Sequence, residues 1–412
     1  MLPVNAYIDH FISLWERSNT EFPGFGKKYS VEEQKLRELN FEKFQEKIKA
    51  FQSRTGKNIR SLKKSDPEKS FFPVFKAFLE NVFDFRKEQL EIILSDQFKG
   101  VSKDFYYRAR DFGPELSPEN IYQGLRNVWI MNGIQLMMEL PVEITPSIFG
   151  YSMIYPYSDN FLDDPSVTGE EKAQFSDRFN RRLHGENVNP HNHTELQLFR
   201  LVGMFEEQYS RGEFPEVYES LYAIQQGQTN SLKLIRCGGL NPNEIKRICF
   251  EKGGASVLAD GYLVAGKLSH EQERALFGYG IYLQLLDDIQ DVKEDSEAHT
   301  HTLFSCTNRL NLDEYVNRTI NFGRGAMEEL RCFKNVESNN FLKLMNRSIE
   351  TMITESVGLN PHHFSEEWLS RLEQYSPLRF DFIRKKRSQS KSRRFALFQR
   401  YFNQQQPEVV GF

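Results

Sequence analysis

Long apolar runs, paired cysteines and nucleotide-binding loops are all missing from this 412-residue sequence. No stretch of 18 or more uncharged apolar residues occurs, so a transmembrane helix is not expected. The four cysteines have no CxxC spacing, which argues against a secreted disulfide scaffold and indicates reduced, mostly buried thiols. No GxGxxG, Walker or Ser/His/Asp pattern is present, and nucleotide and acyl chemistry therefore have no support.

An excess of charge of one sign is also missing. The formal net charge is -4 and the isoelectric point is near 6.2, and these values do not indicate a nucleic-acid binder. The first residues lack the basic segment and the apolar run of a signal peptide. The expected location is the cytoplasm, with peripheral attachment to a membrane surface as the alternative.

Helical periodicity and aromatic side chains are what the sequence has in quantity. Hydrophobic residues make up 39% of the chain and aromatic residues 13%, including 35 Phe, which argues against disorder. Apolar residues recur at helical spacing almost everywhere, while alternating β patterns of useful length are absent. The sequence therefore predicts an all-α fold with a wide apolar interior, although an ordinary core would also account for the Phe content.

Helix-start and helix-stop residues divide the chain into three predicted segments. Ser117 and Pro118 have the chemistry of an N-cap and a first helical position, and Pro361 follows the last long helical pattern. The predicted segments are an N-terminal helical extension packed on the core (1–115), a catalytic core (116–360) and a C-terminal helical segment with a basic and aromatic tail (361–412).

Two short acidic clusters carry the chemistry of this chain. The first, residues 159–164, reads DNFLDD and ends an apolar, aromatic-rich helix. A helix advances about 100° per residue, so Asp159 and Asp163 point the same way. Asp164 lies one residue past that face.

The second cluster, residues 287–291, reads DDIQD and also ends an aromatic-rich helix. Asp287 and Asp291 share a face, with Asp288 beside them. Neither cluster contains Lys or Arg, and negative charge at a helix C-terminus opposes the helix dipole. Solvated acidic helix ends are the competing explanation, but two such clusters favour a divalent cation, and Mg²⁺ prefers carboxylate and phosphate oxygens.

These residues resemble the motifs of the class I isoprenoid synthases, which include polyprenyl diphosphate synthases, terpene cyclases and squalene-type synthases. Residues 284–291 resemble the second aspartate-rich motif, QxxDDxxD, and residues 159–164 resemble the first, read as DNxxDD. Residues 253–262, where Gly253 and Gly254 predict a break or kink in the helix or a close backbone approach, are similar to the bacterial large-terpene (class IB) synthases, the group that includes tetraprenyl-β-curcumene synthase. The resemblance covers roughly residues 109–293.

The resemblance implies an isoprenoid-synthase-type helical bundle around a deep central apolar cavity. It implies a Mg²⁺-dependent class I terpene synthase with three ions, which ionises a linear prenyl diphosphate and releases diphosphate and a terpene, either a cyclic or a linear hydrocarbon or alcohol. The catalytic residues it implies are Asp159, Asp163, Asp287 and Asp288. The metal ligands it implies are Asp159, Asp163, Asp164, Asp287, Asp288 and Asp291.

Further residues are predicted to contact the substrate. The hypothesis for diphosphate binding covers Arg178, Arg181, Arg182, Lys233, Arg236, Gln228, Ser231 and Gln284, with a solvated basic face as the alternative for the cations. Gln284 lies one turn before Asp288 and is expected to hydrogen-bond a carboxylate or a metal-bound water. The hypothesis for the cavity wall, with ordinary core as the alternative, covers Tyr151, Tyr155, Phe161, Tyr262, Phe277 and Tyr282.

Two other functions stay open on the sequence. A trans-prenyltransferase, acting in chain elongation or on an acceptor, has Gly56-Lys57-Asn58-Ile59-Arg60 as a GKxxR match, but Gln228-Thr229 replaces the Lys-Thr pair of elongating synthases. A noncatalytic prenyl-lipid binding protein on the same fold is the other, because Asn160 stands inside the first motif.

The C-terminal region from Arg384 to Arg394 is basic, and aromatic residues follow it. Such a segment predicts peripheral contact with an anionic membrane, while a tail packed on the body or in nonspecific contact with RNA is the alternative. A homodimer is a further hypothesis about partners.

Overall fold

The protein is described by a computed structural model over residues 2–57, 71–164, 166–235, 239–306 and 312–387. Within these ranges every regular element is an α-helix or a 3-10 helix, so the all-α prediction is confirmed. No helix in the described ranges has the length and apolarity needed to cross a bilayer.

The α-helices of these ranges are numbered in chain order. They are α1 (Val4–Arg17), α2 (Val31–Lys57), α3 (Phe72–Phe83), α4 (Lys87–Ile93), α5 (Asp96–Phe112), α6 (Pro118–Met137), α7 (Pro146–Asp163), α8 (Gly169–Leu183), α9 (His193–Gln208), α10 (Pro215–Ser231), α11 (Pro242–Ala265), α12 (His270–Gln290), α13 (Val292–Ala298), α14 (Leu312–Glu329), α15 (Val336–Leu359), α16 (Glu366–Glu373) and α17 (Phe380–Arg387). Short 3-10 helices follow α10, α14 and α15.

The chain divides into two compact units. One comprises Met1–Pro23 with Gly100–Leu342, and the other comprises Gly24–Lys99 with Lys343–Phe412, as far as these ranges are described. The boundaries predicted at residues 115 and 360 separate consecutive segments of the sequence, and they stay a prediction. Both acidic clusters belong to the first unit.

Helix starts in the first unit follow from local capping chemistry. The Ser117 hydroxyl accepts a hydrogen bond from the Asn120 backbone N–H at 3.2 Å, and Pro118 takes the first position of α6. Thr145 caps α7 and Ser269 caps α12 in the same way. The Ser117 and Pro118 prediction is therefore confirmed, because a cap depends only on residues a few positions apart.

Glycines set the spacing of α10, α11 and α12. A Cβ at Gly253 of α11 would lie 2.8 Å from the Gly280 carbonyl oxygen of α12, and closer still to the Gln284 side chain. A Cβ at Gly227 of α10 would lie 3.1 Å from the Lys252 Cα of α11. α11 continues through Gly253 and Gly254 without a break, these contacts confirm the close backbone approach, and the predicted kink stays a prediction. Because glycine has no side chain, these positions let the backbones of neighbouring helices pack closely.

The second unit is held by aromatic stacking and buried polar contacts. Phe44 of α2 stacks on Phe78 of α3, with ring centroids 3.9 Å apart. Gln34 donates hydrogen bonds to the Glu373 and Ser376 carbonyl oxygens at 2.8 and 2.9 Å. These contacts join α2 to α3, to the last residue of α16 and to the turn that follows it, as expected for a small core of its own.

Candidate active site

A cavity of about 60 Å³, partly open to solvent, lies between α7, α8 and α10 of the first unit. Most of its wall is aliphatic or aromatic, with Ile154, Leu162, Phe179, Leu183, Leu221 and Ile224 among the lining side chains. Polar side chains also face it, namely Ser158, Asp159, Ser176, Gln225, Gln228 and Thr229. A largely apolar cavity with a few polar groups is the usual character of a small-molecule site.

Asp159 is the carboxylate of the first cluster that lines this cavity. Its Oδ2 accepts a hydrogen bond from Gln123 Nε2 at 3.0 Å, and its Oδ1 accepts one from the Ser158 hydroxyl at 3.2 Å. Gln123 comes from α6 and was missed by sequence reasoning, because a single uncharged side chain on a neighbouring helix gives no pattern. These contacts fix the carboxylate while it stays only partly buried.

The other two aspartates of the first cluster stand at the end of α7. Asp163 is the last residue of the helix, and its side chain lies outside the described part of the chain. Asp164 is the C-cap, and its Oδ1 accepts hydrogen bonds from the Ser166 backbone N–H at 2.8 Å and the Ser166 hydroxyl at 2.6 Å. These hydrogen bonds lower the pKa of Asp164. Asp164 is thus engaged in a local turn, and its role as a metal ligand stays a prediction.

Two of the six predicted wall residues line the cavity, namely Tyr151 and Tyr155. The Tyr155 hydroxyl lies 3.0 Å from Ser256 Oγ of α11 and 3.4 Å from the Tyr151 hydroxyl. Burial raises the pKa of both phenols, and the nearby Asp260 carboxyl adds to the rise. The wall of the cavity therefore carries two linked hydroxyl groups that are neutral at ordinary pH.

The structure packs the other four predicted wall residues elsewhere. Phe161 stacks on Phe175, with ring centroids 4.4 Å apart. Tyr262 is buried and donates its hydroxyl hydrogen bond to Glu273. Phe277 and Tyr282 are also buried, packed where Gly254 and Gly323 leave room for their rings. None of the four is among the side chains that line the cavity between α7, α8 and α10.

The carboxylates of the second cluster differ in their exposure to solvent. Asp287 and Asp291 are exposed, whereas Asp288 is only 5% exposed. Gln284 Nε2 donates to Asp288 Oδ1 at 2.8 Å, as the sequence predicted for a carboxylate partner. Asp288 Oδ2 has no hydrogen-bond partner among the described residues, although the Cys249 thiol lies nearby. Burial raises the pKa of Asp288 to about 7, and the charge of Asp287 adds to it.

Asp295 and Lys252 lie beside the second cluster, and neither was predicted from the sequence. Burial and then the charges of Asp291 and Asp287 raise the pKa of Asp295 to about 6, and Lys252 lowers it. Asp295 follows Asp291 by four residues, so the same spacing rule could have found it. Lys252 belongs to α11, and no sequence signal connects it to α12. The second cluster is therefore four carboxylates with one ammonium group beside them.

The donor chemistry of both clusters fits Mg²⁺, since the ligands on offer are carboxylate oxygens and one buried oxygen of Asp288 has no hydrogen-bond partner in the described part of the chain. Within the described ranges, however, no three His, Cys, Asp or Glu side chains form a group able to hold a metal ion. The cavity lining includes Asp159 but not Asp287, Asp288 or Asp291. The predicted set of six ligands stays a prediction.

The three arginines predicted for diphosphate are each paired with a carboxylate. Arg178 makes a bidentate contact with Glu195, which is 0% exposed, at 2.6 to 3.1 Å. Arg181 pairs with Glu186 at 2.7 Å, and Arg182 pairs with Glu206 at 2.6 Å. Buried Glu195 in particular requires its partner, because an unpaired buried charge is strongly destabilising.

The remaining predicted diphosphate contacts are scattered. Gln228 lines the cavity, and Ser231 donates a hydrogen bond to the Gln228 carbonyl oxygen at 2.8 Å. Lys233 is exposed and donates to Asn230 Oδ1 at 2.8 Å. Arg236 lies outside the described residues. Of this group, Gln228 is the side chain that meets Asp159 in one cavity.

No family model and no curated protein matches the chain. Among solved structures, it is similar to a geranyltransferase from Legionella pneumophila, with 14% identity, a TM-score of 0.39 and coverage of 66% of this chain and 99% of that chain. It is also similar to a geranylgeranyl pyrophosphate synthetase from the archaeon Geoglobus acetivorans, with 14% identity, a TM-score of 0.40 and coverage of 62% and 98%. The corresponding synthetase from Pyrococcus horikoshii Ot3 has 15% identity, a TM-score of 0.34 and coverage of 71% and 99%. Likeness at this level decides neither family nor activity.

Proposed function

We propose that this chain binds a linear prenyl diphosphate in the cavity between α7, α8 and α10 and ionises it. The bond between the allylic carbon and the diphosphate oxygen breaks, both electrons leave with the diphosphate, and an allylic carbocation remains. The observation that supports this proposal is the lining of one cavity, in which Asp159, amides and hydroxyls occur together with an aliphatic and aromatic wall.

The polar side chains suit the charged end of such a substrate. The Gln225 and Gln228 amides and the Thr229 hydroxyl face the cavity and can donate hydrogen bonds to diphosphate oxygens. Lys252, beside the second acidic cluster, is a further basic group that we add to the proposed contacts. The three paired arginines would act on the substrate only if they exchanged their carboxylate partners.

The acidic clusters suit magnesium. The residues that would hold it are Asp159, Asp163, Asp164, Asp287, Asp288 and Asp291, to which Asp295 is added. When bound, Mg²⁺ offsets the charge of the diphosphate and makes it a better leaving group.

The apolar wall suits the hydrocarbon chain and the cation. Ile154, Leu221 and Ile224 offer no hydrogen-bonding side chain to water, which would otherwise capture a carbocation. Tyr151 and Tyr155 line the same space, and an aromatic ring there can stabilise positive charge through cation–π contact, worth about 0.5–2 kcal/mol each. Their hydroxyl groups are tied to each other and to Ser256, so the rings are held in place.

Two fates of the cation define two candidate activities. A terpene synthase closes the cation on its own double bonds, and the absence of the Lys of the elongating Lys-Thr pair at Gln228 favours it. A trans-prenyltransferase couples the cation to a second substrate, and the similar solved structures are named as enzymes of that kind. We keep both, because the ionisation step is common to them.

Incubation of the full chain with Mg²⁺ and geranyl, farnesyl or geranylgeranyl diphosphate tests the proposal. Diphosphate release without isopentenyl diphosphate indicates a terpene synthase, and release only with it indicates a prenyltransferase. Release under neither condition contradicts the proposal and favours a noncatalytic prenyl-lipid binding protein.

Asp159→Asn tests the site itself. Removing one charge at the reacting centre is expected to lower the rate of diphosphate release by about 10²–10³-fold, with helix content unchanged by circular dichroism. Asp104→Asn is the matched control, since Asp104 is half-buried on α5 and, within the described ranges, its ion pair is with Arg108 in the same helix. Equal rates in the Asp159→Asn variant and the wild type would refute the assignment of this cavity.

A further inference from the structure

The side-chain amide of Gln123 joins α6 to the first acidic cluster. Its Nε2 donates a hydrogen bond to Asp159 Oδ2 at 3.0 Å, and the Ser158 hydroxyl donates one to Asp159 Oδ1 at 3.2 Å. Ser158 and Asp159 line the cavity, whereas Gln123 is not among the lining side chains. Gln123 therefore contacts the carboxylate from outside the lining of the cavity.

The residues that follow Gln123 fix the approach of α6 to α7. A Cβ at Gly124 would lie 2.8 Å from the Ser152 carbonyl oxygen of α7, so the helices can pack this closely because position 124 is glycine. Asn127, one turn further along α6, is buried and donates hydrogen bonds to Ser152 Oγ at 3.3 Å and to Asp260 Oδ1 of α11 at 3.1 Å. The position of Gln123 is therefore set by the packing of two helices.

The hydrogen-bond donor at position 123 is uncharged. A hydrogen bond from an amide orients a carboxylate and leaves its negative charge in place. The arginines of α8 differ in this respect, since Arg178 brings a full positive charge to Glu195 in a bidentate pair at 2.6 to 3.1 Å. A carboxylate has about four lone-pair sites, so the hydrogen bonds from Gln123 and Ser158 leave acceptor capacity for a cation.

We propose that Gln123 is a positioning residue, which holds the Asp159 carboxylate in the orientation that binds a divalent cation at the cavity. This role rests on the proposed function, because the cation is the Mg²⁺ that would offset the charge of the diphosphate. Hydrogen-bond partners of metal ligands orient those ligands, and their loss typically lowers metal affinity by about 10–100-fold. In this role Gln123 touches neither the substrate nor the cation, and it acts through Asp159.

Binding of Mn²⁺ to the full chain without substrate, measured by electron paramagnetic resonance, tests the role of Gln123. Mn²⁺ takes the same kind of oxygen ligands as Mg²⁺, and the signal of the free ion falls on binding. The site that depends on Asp159 is the Mn²⁺ binding that Asp159→Asn weakens or removes. Gln123→Met keeps a side chain of similar length without a donor, and it should raise the Kd of that site by about 10–100-fold.

Gln174→Met is the matched control. Gln174 Nε2 also donates a hydrogen bond to a carboxylate, that of Glu170 at 3.2 Å, but both residues are exposed on α8 and neither lines the cavity. This variant loses the same chemical contact at a different place. Its Kd for Mn²⁺ should equal that of the wild type.

The dependence of diphosphate release on Mg²⁺ separates a positioning role from a structural one. Gln123→Met should raise the Mg²⁺ concentration for half-maximal rate by about 10–100-fold, while the rate at saturating Mg²⁺ stays close to that of the wild type. In the Asp159→Asn background the same substitution should lower the rate no further, because the two residues act as one unit. A structural role would lower the rate in both backgrounds and at every Mg²⁺ concentration.

The outcomes separate the role of Gln123 from the proposed function. An equal Kd in Gln123→Met and the wild type, or no Mn²⁺ binding that depends on Asp159, overturns the positioning role. If Gln123→Met does not fold by circular dichroism, Gln123→Asn takes its place with the same expected results, because its amide is one methylene further from Asp159. If the wild type releases no diphosphate from the three prenyl diphosphates, with or without isopentenyl diphosphate, the proposed function fails, and the Mn²⁺ titrations still decide the role of Gln123.

Discussion

The pKa of an aspartate in this chain depends on how deeply its side chain is buried. Asp164 is held by Ser166 in a local turn and keeps a low pKa, whereas Asp288 and Asp260 are enclosed by other helices and bind protons much more tightly. The side chains are chemically identical, and the difference comes from the loss of water around the charged form. The sequence located Asp164 and Asp288 in clusters, but it gave no reason to single out Asp260.

The pH dependence of stability is a prediction for Asp260. Its pKa is raised from 3.8 to about 8 in the folded protein, so the folded state holds this proton after the unfolded chain has lost it. The contribution of Asp260 to stability is therefore fully present below pH 4 and is lost as the pH rises towards 8. Each pKa unit corresponds to about 1.4 kcal/mol, which makes the loss on the order of several kcal/mol.

Asp260→Asn should remove this dependence. The free energy of unfolding of the variant minus that of the wild type is expected to rise between pH 4 and pH 8 and to level off above that range. Urea titrations at a series of pH values measure the difference. A difference that stays constant with pH would mean that Asp260 is not protonated in the folded protein.

At the scale of elements, glycine fixes how closely the three helices α10, α11 and α12 approach. Gly253 and Gly280 let the backbones of α11 and α12 meet, and Gly227 does the same between α10 and α11. This spacing positions Lys252 beside the second cluster and Ser256 against Tyr155. Helix starts were predictable because caps are local, but the sequence pattern of Gly253 and Gly254 did not distinguish a kink from a close approach.

A pair of glycine substitutions tests this packing. Gly253→Ala would place a Cβ 2.8 Å from the Gly280 carbonyl oxygen, and a backbone atom cannot move aside cheaply. We expect a loss of about 1–3 kcal/mol, as for other overpacked cores. Gly203→Ala in α9 is the control, because nothing lies within 4 Å of its Cβ position, and it should stabilise by about 0.5–1 kcal/mol. Thermal unfolding compares the two, and equal changes would contradict the close approach.

At the scale of the molecule, the chain comprises two compact units. The residues proposed for the site, from Asp159 to Asp295, belong to the unit that contains Gly100–Leu342. The GKxxR match at 56–60 has no described side chains, and the basic tail at 384–394 lies largely outside the described residues. The roles predicted for these two segments therefore stay predictions, and the unit with the clusters is where ligand effects are expected.

Ligand binding should shift the unfolding of that unit. Mg²⁺ with inorganic diphosphate is expected to raise its thermal midpoint, by an amount equivalent to about 2.7 kcal/mol when the ligand is at 100 times its Kd. Asp287→Asn should lose most of the shift, while Asp104→Asn on α5 should keep it. Scanning calorimetry on the full chain measures the shift, and an equal shift in all three proteins would exclude the second cluster from the binding site.

The sequence by itself determined the features that depend on neighbouring residues. Helical periodicity determined the all-α fold, and capping residues determined where α6 begins. A spacing of four residues predicts that Asp159 shares a helix face with Asp163, and Asp287 with Asp291. Only the tertiary structure decided which of these groups face water and which partners they have. It paired Arg178 with buried Glu195, brought Lys252 to Asp288, and enclosed Asp260 among tyrosines of two other helices. Such contacts join residues far apart in the chain, and their energies depend on burial, which no local pattern encodes.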